Sequence, residues 1–497
     1  MGRSGDRLLW YSYIYYSISI ILFAYIFVHF TNTFRGSHYS NLDGKVILNV
    51  FLHFINYILL ISIMSVYMIV TSYSNILCIF TDDISYIDYF FYNSLLFKNT
   101  INFSLIYIYV FPFIYIFLFI TSLSVLYCLS YNVNELKSFM SYLLIISAAG
   151  YTLFFTDSLV IFFFSYEALL LPSFFILYNF AKTRKCVEAA YLMFFWTQFG
   201  ALFLILGLLF LFNAANSTSF SQIEVINFNS FEINFVFLCL LVGFGVKLPI
   251  WPFYGWLPKA HVEASTNFSI FLSGVLVKFA FFGFLKCLLT LQLEPTFYPI
   301  YPFLVIGIFD SSFKLFYQVD LKKVVAYSTV VEMHWLTLCV VSGQSALLLG
   351  GFCMLIGHAL LSTNSFLLVD AIGRRFKTRL ITEISGLNFL CPKLFLVILT
   401  NLLVFLGFPG SLMFIAEIIF FTYLFDLFPT LFITLLPLLY LLVPTFFFKV
   451  WMNAIFGYSD RLNWAAPADL SSKELVTYVG LIVTMFWLGF TWQSFIF

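Results

Sequence analysis

Charged side chains are scarce in this chain, and their scarcity indicates its class. Of 497 residues, 9% are charged and 62% are hydrophobic, and the mean hydropathy is +1.00. Soluble domains average about 25% charged residues. The formal net charge is +1, so the sequence lacks the basic footprint of a nucleic-acid-binding protein. The composition predicts an all-α, polytopic membrane protein.

Paired cysteines and nucleotide-binding loops are also missing. The eight cysteines are scattered and include no Cys-x-x-Cys pair, which argues against iron–sulfur clusters and zinc ribbons. Gly243 and Gly245 lie inside an apolar helical run rather than after a strand, so they do not read as a dinucleotide loop. The sequence therefore predicts no cofactor or metal in this chain.

Neither a soluble domain nor a cleavable leader is indicated. Arg3 and Arg7 precede a long apolar run that a second one follows, so we expect the first span to be retained. A span needs about 20 mostly apolar residues. That length predicts about fourteen transmembrane helices, near 8–31, 47–72, 102–130, 137–155, 158–180, 188–213, 233–258, 267–292, 298–318, 322–342, 345–370, 388–424, 427–453 and 474–496.

The basic residues predict an orientation. Loops after odd-numbered spans hold most lysines and arginines, including Lys182, Lys322 and Arg374, whereas the opposite loops and the N-terminus hold Arg3, Arg7 and Lys98. Positive loops stay on the cytoplasmic side. We therefore expect both termini on the other side, which is the intermembrane space for a mitochondrial protein. The 69 phenylalanines and 31 tyrosines are typical of an AT-rich genome such as an organelle's.

Prolines interrupt one of the apolar runs. Lys247 stands inside that run without a sequence-local counter-charge, and Pro249 and Pro252 cannot donate the backbone hydrogen bonds of a continuous helix. A broken helix is tolerated in lipid only where it is buried in protein or lines a wet cavity. We expect a break near mid-membrane, a short polar turn at 259–263, and a second apolar run carrying Lys278.

A second interruption, Gly407-Phe408-Pro409-Gly410, divides the long span 388–424. Pro249 and Pro409 are 160 residues apart (409 − 249), and five spans separate the two breaks. Because five is odd, the second copy would be inverted, as in many transporters; a chance offset is the alternative. The predicted domains are N-terminal helices at 1–130, inverted five-helix repeats at 137–292 and 298–453, each with one broken helix, and a last helix at 474–497.

Some ionisable residues remain inside the predicted spans. Snorkelling to the interface accounts for those near span ends, Lys286, Lys314 and Asp370. It does not account for four residues near mid-span, which are Glu167, Lys247, Lys278 and Glu417. Each costs about 2.5–3.5 kcal/mol on insertion scales. Because these groups can gain and lose protons, the set predicts proton movement, with a static Glu167–Lys247 ion pair as the alternative.

A set of motifs between about residues 120 and 425 resembles one protein family. The motifs are Tyr166-Glu167-Ala168 with Pro172, Val246-Lys247-Leu248-Pro249, the run from Trp256 to Ala264, Asp320-Leu321-Lys322-Lys323 with Ala326-Tyr327-Ser328-Thr329, His358-Ala359-Leu360, and Gly407-Phe408-Pro409-Gly410 with Phe414 and Glu417. They resemble the signatures of the proton-pumping, antiporter-like subunits of respiratory complex I. A glutamate at the second break, Glu417, is typical of one branch of that family, whose sister branches usually carry lysine or aspartate there.

The resemblance implies a role for each residue. Glu167 and Lys247 would form the coupling pair, Lys278 the central relay and Glu417 the exit-side proton carrier, with His358 between the half-channels. NADH, FMN, iron–sulfur clusters and ubiquinone would be bound by other subunits. The implied partners are the antiporter-like neighbours, accessory subunits and membrane lipid such as cardiolipin, in the mitochondrial inner membrane.

One position departs from the family pattern. Where the family usually reads Val-x-His-Met, this chain reads Val330-Val331-Glu332-Met333, so a glutamate replaces a relay histidine. His334 lies two positions on, about 200° around a helix, so it is not an obvious substitute. Two interpretations stay open: Glu332 belongs to the proton relay, or it is a neutral, hydrogen-bonded carboxyl with no shuttling role.

The residues and the resemblance leave three functions to separate. The first is a proton-translocating membrane-arm subunit, which couples NADH-to-ubiquinone electron transfer in other subunits to pumping. The second is an Mrp-type cation/proton antiporter subunit, which shares the fold and the lysines. The third is a scaffold that holds its neighbours and pumps nothing.

Overall fold

Helices dominate the structure because lipid offers no hydrogen-bond partner to an unpaired backbone group. The computed structural model describes residues 133–496 apart from 182, 225, 227, 291–299 and 457–467, together with 117, 120, 121 and 124. All of them belong to one unit, 103–497. The predicted spans at 8–31 and 47–72, and nearly all of 102–130, lie outside the described residues.

The described helices are labelled in chain order. They are α1 (Val133–Phe155), α2 (Leu159–Ala168), α3 (Leu170–Asn179), α4 (Arg184–Ala215), α5 (Phe220–Ile223), α6 (Ser230–Lys247), α7 (Trp256–Glu263), α8 (Thr266–Phe271), α9 (Val277–Thr290), α10 (Ile300–Phe316), α11 (Leu321–Val341), α12 (Ser345–Phe376), α13 (Leu387–Leu390), α14 (Pro392–Phe405), α15 (Leu412–Leu427), α16 (Pro429–Pro437), α17 (Val443–Phe456) and α18 (Ser472–Ile496). Wider π turns join α8 to α9 at Leu272–Leu276 and α16 to α17 at Leu438–Leu442.

The prediction of an all-α polytopic membrane protein is confirmed. Within the described ranges, each predicted span coincides with a helix or a pair of helices, and nine helical segments are long and apolar enough to cross a membrane. The remaining predicted spans there are shorter helices: α10 has 17 residues, α14 has 14 and α15 has 16. The interruption of the 388–424 span explains why neither of its halves reaches full length.

Both predicted breaks are present. The first break is the segment 248–255 between α6 and α7, and the second is 406–411 between α14 and α15. The helices that precede them end 158 residues apart (405 − 247), close to the 160-residue offset of the two prolines. That the repeats at 137–292 and 298–453 superpose with inversion stays a prediction.

Side chains compensate for the backbone groups that the first break leaves unpaired. Pro249 has no N–H, so the carbonyl of Gly245 accepts instead from the amide of Ile250, at 2.9 Å. The next carbonyl, that of Val246, accepts from the indole Nε1 of Trp256 at 2.8 Å. The break is thus a defined structure with its own hydrogen bonds, as burial in a membrane requires.

Two glycines shape the second break. Gly407 and Gly410 have φ angles of 69° and 90°, in the left-handed region that other residues avoid. Ser411 then caps α15, because its hydroxyl accepts from the amide of Phe414 at 3.3 Å. The Gly-Phe-Pro-Gly motif therefore both ends one helix and begins the next.

The buried centre of the described region is formed by α8 and α9 together with α11 and α12. These spans are almost wholly buried within the protein, whereas the other spans leave half or more of their residues facing outward. Lys278, Glu332 and His358 all lie on these central helices. Three of the six predicted relay residues therefore lie on the helices that are most buried within the protein.

Two details of the sequence interpretation are wrong. The segment 259–263 is not a polar turn but the second half of helix α7, and its His261 is fully buried. Lys322, assigned to a loop, is buried in the first turn of α11, where its Nζ donates to the carbonyl of Ala264. Both follow from tertiary packing, which turns polar residues of an apparent loop inward.

The inverted arrangement predicts opposite labelling of two equivalent positions. Lys259 and Asp426 are exposed near the ends of the two broken helices. In vesicles that carry the assembled complex, a membrane-impermeant maleimide should label Lys259→Cys from the cytoplasmic or matrix side and Asp426→Cys from the other side. The unmodified chain is the control, since its six described cysteines are buried. Labelling of both variants from one side would contradict inversion.

Candidate functional site

The first break places Lys247 beside Glu167. Lys247 is the last residue of α6 and Glu167 the penultimate residue of α2. The Nζ atom lies 3.8 Å from Glu167 Oε1 and donates to the carbonyl of Tyr166 at 3.0 Å. It also lies 3.3 Å from the centroid of the Tyr166 ring. Carbonyl, ring and carboxylate together stabilise a cation at this depth.

Glu167 is shared between two partners. Its Oε2 accepts from the side-chain amide of Gln198 at 3.0 Å, while its Oε1 accepts no hydrogen bond from the described residues. The contact with Lys247 is therefore an ion pair without a close hydrogen bond. A cavity of about 30 Å³ beside Lys247, lined in part by Ser173 and Thr197, has room for water. Lys247 therefore borders space for water, whereas the second partner of Glu167 is Gln198.

Lys278 lies in a different environment, one residue after the start of α9. It is fully buried, and no carboxylate of the described residues lies within ion-pair distance of its Nζ. The carbonyl of Ser273, within the π turn Leu272–Leu276, accepts from the Nζ of Lys278. Single π turns inside helices are frequent at functional sites.

Glu332 and His358 are in direct contact. Glu332 Oε2 meets His358 Nδ1 between α11 and α12, and both side chains are buried. The other ring nitrogen, Nε2, has no hydrogen-bond partner among the described residues. Both interpretations of Glu332 need this contact, since a relay carboxyl and a static carboxyl each require a partner when buried.

Glu417 folds back over the second break. It is buried on α15, and a Cβ atom added at Gly407 would overlap its carboxylate. Its Oε2 has no hydrogen-bond partner among the described residues. A carboxyl group buried without a partner costs free energy, which is consistent with a functional rather than a structural role.

The predicted site residues thus form two contacting pairs and two separate groups. Glu167 contacts Lys247, and Glu332 contacts His358. Lys278 and Glu417 have no direct contact with another predicted site residue among those described.

Sequence reasoning missed several buried polar groups. Asn364, Ser365 and Asn401 form a triad between α12 and α14, in which Asn364 Nδ2 donates to Asn401 Oδ1, and Asn401 Nδ2 to Ser365 Oγ, each at 2.9 Å. A search for charge does not find amides, although a polar residue within an apolar span was the available signal. The triad lies on the helices that lead to His358 and to the second break.

Charged residues were also misjudged. Lys286, predicted to snorkel, is buried and donates to the carbonyls of Phe154 and Thr156 at the end of α1. Asp310 was overlooked; it pairs with Lys314 at 2.8 Å and accepts from the hydroxyl of Tyr254. Within the described ranges, no group of three or more His, Cys, Asp or Glu residues is arranged to hold a metal ion.

Comparison with known proteins agrees with this arrangement. Residues 156–442 match the family "NADH:quinone oxidoreductase/Mrp antiporter, TM". Two solved structures share the fold: a chain of the Mrp complex from Dietzia sp. DQ12-45-1b, with a TM-score of 0.69 and 16% identity over 77% of this chain and 81% of that chain, and a chain of respiratory complex I from Thermus thermophilus with bound NADH, with a TM-score of 0.67 and 20% identity over 76% and 81%. The chain belongs to the NADH:quinone oxidoreductase/Mrp antiporter family of transmembrane subunits.

Named relatives lie in one branch of that family. NADH-ubiquinone oxidoreductase chain 4 of Paramecium tetraurelia is 38% identical over 336 residues, which are 66% of this chain and 70% of the relative. The chain 4 of Marchantia polymorpha is 31% identical over 67% of each chain. These names agree with the branch that Glu417 indicates.

The second break yields a prediction for Gly407. We expect Gly407→Ala to abolish most proton pumping, because the new Cβ would displace the Glu417 carboxylate and the left-handed backbone would add about 1–3 kcal/mol of strain. Pumping and NADH oxidation would be measured together in membrane vesicles. Gly373→Ala is the matched control, since its Cβ meets nothing within 4 Å. Wild-type pumping by the Gly407 variant would show that Glu417 does not need its present position.

Proposed function

We propose that this chain is a proton-translocating membrane-arm subunit of respiratory complex I, of the chain 4 type. The observation that carries the proposal is the Glu167–Lys247 pair at a helix break, with a 3.8 Å contact that is not a direct hydrogen bond. Glu167 can separate from Lys247, because Gln198 bonds the other oxygen of Glu167 and a cavity with room for water lies beside Lys247. Two further buried ionisable groups, Lys278 and Glu417, would continue the proton path.

Proton transfer would proceed through the buried groups in sequence. When Glu167 moves away from Lys247 and keeps its hydrogen bond with Gln198, Lys247 loses its counter-charge. Lys247 can then pass a proton into the cavity beside it. Lys278 is buried without a carboxylate among the described residues, so it can accept that proton and release it again. His358 lies on α12, which packs against the π turn before Lys278, and would take the proton next, toward the second break.

The second half of the path would use the Glu332–His358 pair and Glu417. Glu332 holds Nδ1 of His358, so a proton that arrives there can leave through Nε2. Glu417 lies at the second break, where backbone is interrupted and water can reach the carboxylate. We assign Glu417 as the exit-side carrier, with water bridging the groups that are not in contact.

The remaining features of the proposal rest on the family resemblance and on the distribution of basic residues. The chain would assemble with antiporter-like neighbours and accessory subunits, contact membrane lipid such as cardiolipin, and lie in the mitochondrial inner membrane with both termini toward the intermembrane space. NADH, FMN, iron–sulfur clusters and ubiquinone would be bound by other subunits of the oxidoreductase. An Mrp-type antiporter subunit is the alternative, because the Dietzia Mrp chain shares the fold. The chain 4 relatives favour complex I.

Neutralising the first pair tests the proposal. We expect Glu167→Gln to lower the number of protons pumped per NADH oxidised several-fold, since Lys247 would lose its alternating counter-charge, while the complex assembles normally. Glu188→Gln is the matched control, because Glu188 forms a surface pair with Arg184 and its side chain is 65% exposed. If Glu167→Gln pumps as the wild type does, the pair is structural and the proposed function fails.

A charge-conserving change at Lys278 separates titration from electrostatics. Arginine keeps its proton at any physiological pH, so Lys278→Arg should block translocation nearly as completely as Lys278→Ala. The measurement is proton uptake by vesicles containing reconstituted complex. Lys393→Arg, at an exposed position, controls for the substitution itself. Full activity of Lys278→Arg would rule out a titrating lysine at this point in the path.

A further inference from the structure

The first break leaves one backbone amide that no carbonyl of its own helix accepts from. In a continuous helix the amide of Trp251 would donate to the carbonyl of Lys247. Here it donates to Nε2 of His334, at 2.7 Å. His334 lies on α11, 83 residues further along the chain, and is fully buried. A residue outside the broken helix therefore satisfies the break.

The hydrogen bonds of His334 fix its chemical form. A backbone N–H can only donate, so Nε2 must be the unprotonated nitrogen. Nδ1 lies 2.8 Å from the carbonyl of Val330, which can only accept, so Nδ1 holds the proton. His334 is thus a neutral imidazole whose two nitrogens are both in use, which excludes it from passing protons in this arrangement.

The surroundings of His334 suit a neutral ring. The titratable groups that face it among the described residues are Tyr254, whose ring centroid lies 6.2 Å away, and Asp310 on α10. Asp310 is already matched, because Lys314 pairs with it at 2.8 Å and Tyr254 donates to it. The carboxylate therefore does not need a histidinium for a partner.

A glycine makes room for the ring. Gly307 on α10 faces His334, and a Cβ atom there would overlap the imidazole and come within 2.9 Å of the Cβ of Trp251. Three elements therefore meet at one point: α10 with its glycine, α11 with its histidine, and the first break with its amide. The fit depends on a combination of residues and not on the histidine alone.

The same helix, α11, also contacts the C-terminal end of the segment 251–264. Lys322, near the start of α11, donates to the carbonyl of Ala264. Arg379, which follows α12, donates to the carbonyl of Val262 at 3.0 Å. His334 and Lys322 are 12 residues apart, about 18 Å along a helix, and their targets at 251 and 264 are 13 residues apart. The second predicted repeat thus fixes the segment 251–264 at both ends.

We infer that His334 is a positioning residue, which holds the first break against α11 through the amide of Trp251 and so sets where Lys247 stands relative to Glu167. Lys247 is the residue at which α6 ends, four positions before Trp251. On the other face of α11, Glu332 contacts His358. One rigid helix therefore joins the break of the first predicted repeat to the relay of the second. The inference rests on the proposed function for its link to pumping.

Three substitutions test the inference in the assembled complex. His334→Leu fills similar space without an acceptor, whereas the side-chain carbonyl of His334→Gln can accept from Trp251 but cannot become a cation. Gly307→Ala keeps His334 in the sequence but displaces its imidazole ring. Gly255→Ala is the matched control within the same break, since its added Cβ meets nothing within 4 Å.

Amide hydrogen exchange over residues 250–256, followed by mass spectrometry, provides a readout that does not depend on pumping. We expect exchange at least about tenfold faster in His334→Leu and Gly307→Ala, and near the wild-type rate in His334→Gln and Gly255→Ala. Unchanged exchange in both disruptive variants would overturn the inference whatever Glu167→Gln does. If His334→Leu fails to assemble, Gly307→Ala and His334→Gln still decide.

Pumping per NADH oxidised gives the functional result. The two disruptive variants should lose about threefold or more, and His334→Gln should recover at least half of the wild-type value. Wild-type pumping with accelerated exchange, or a loss in His334→Gln equal to that in His334→Leu, would overturn the positioning role.

Discussion

A backbone group that loses its helical partner inside a bilayer has no water to replace it, and this constraint governs how the two breaks are built. At the first break, side chains supply what Pro249 removes: the indole of Trp256 donates to Val246, and His334 accepts from Trp251. At the second, two glycines end one helix and a capping serine begins the next within a few residues. Each break is therefore a packed structure held by its neighbours rather than a flexible joint.

Ionisable side chains occur where the backbone departs from the regular helix. Lys247 ends the helix before the first break, and Lys278 donates to a carbonyl within a π turn. Glu417 lies over Gly407 in the second break. A charge in lipid costs about 2.5–3.5 kcal/mol on insertion scales, and interrupted backbone lowers that cost by exposing carbonyls and admitting water. Structure and proposed chemistry thus depend on the same few interruptions.

The spans, the breaks and the four mid-span ionisable groups can be predicted from local sequence, because hydropathy and proline act over one or two helical turns. It does not carry partners that lie far along the chain. Lys322 looks like a loop residue until its contact with Ala264, 58 residues away, turns it inward. A search for charged residues does not find Asn364 and Asn401, although their buried side chains pair between α12 and α14. Each of these depends on how helices pack against one another.

The glutamate at position 332, where the family usually has histidine, can be interpreted from the contacts on two faces of α11. His334, two positions further on, points to the first break and has both nitrogens in hydrogen bonds, so it does not replace the missing relay histidine. Glu332 faces α12 instead and occupies Nδ1 of His358. Nε2 of His358 is the ring nitrogen without a partner among the described residues. Glu332 thereby fixes which nitrogen of His358 is free for the proposed relay, whereas a neutral histidine in its place would leave that choice to the tautomer.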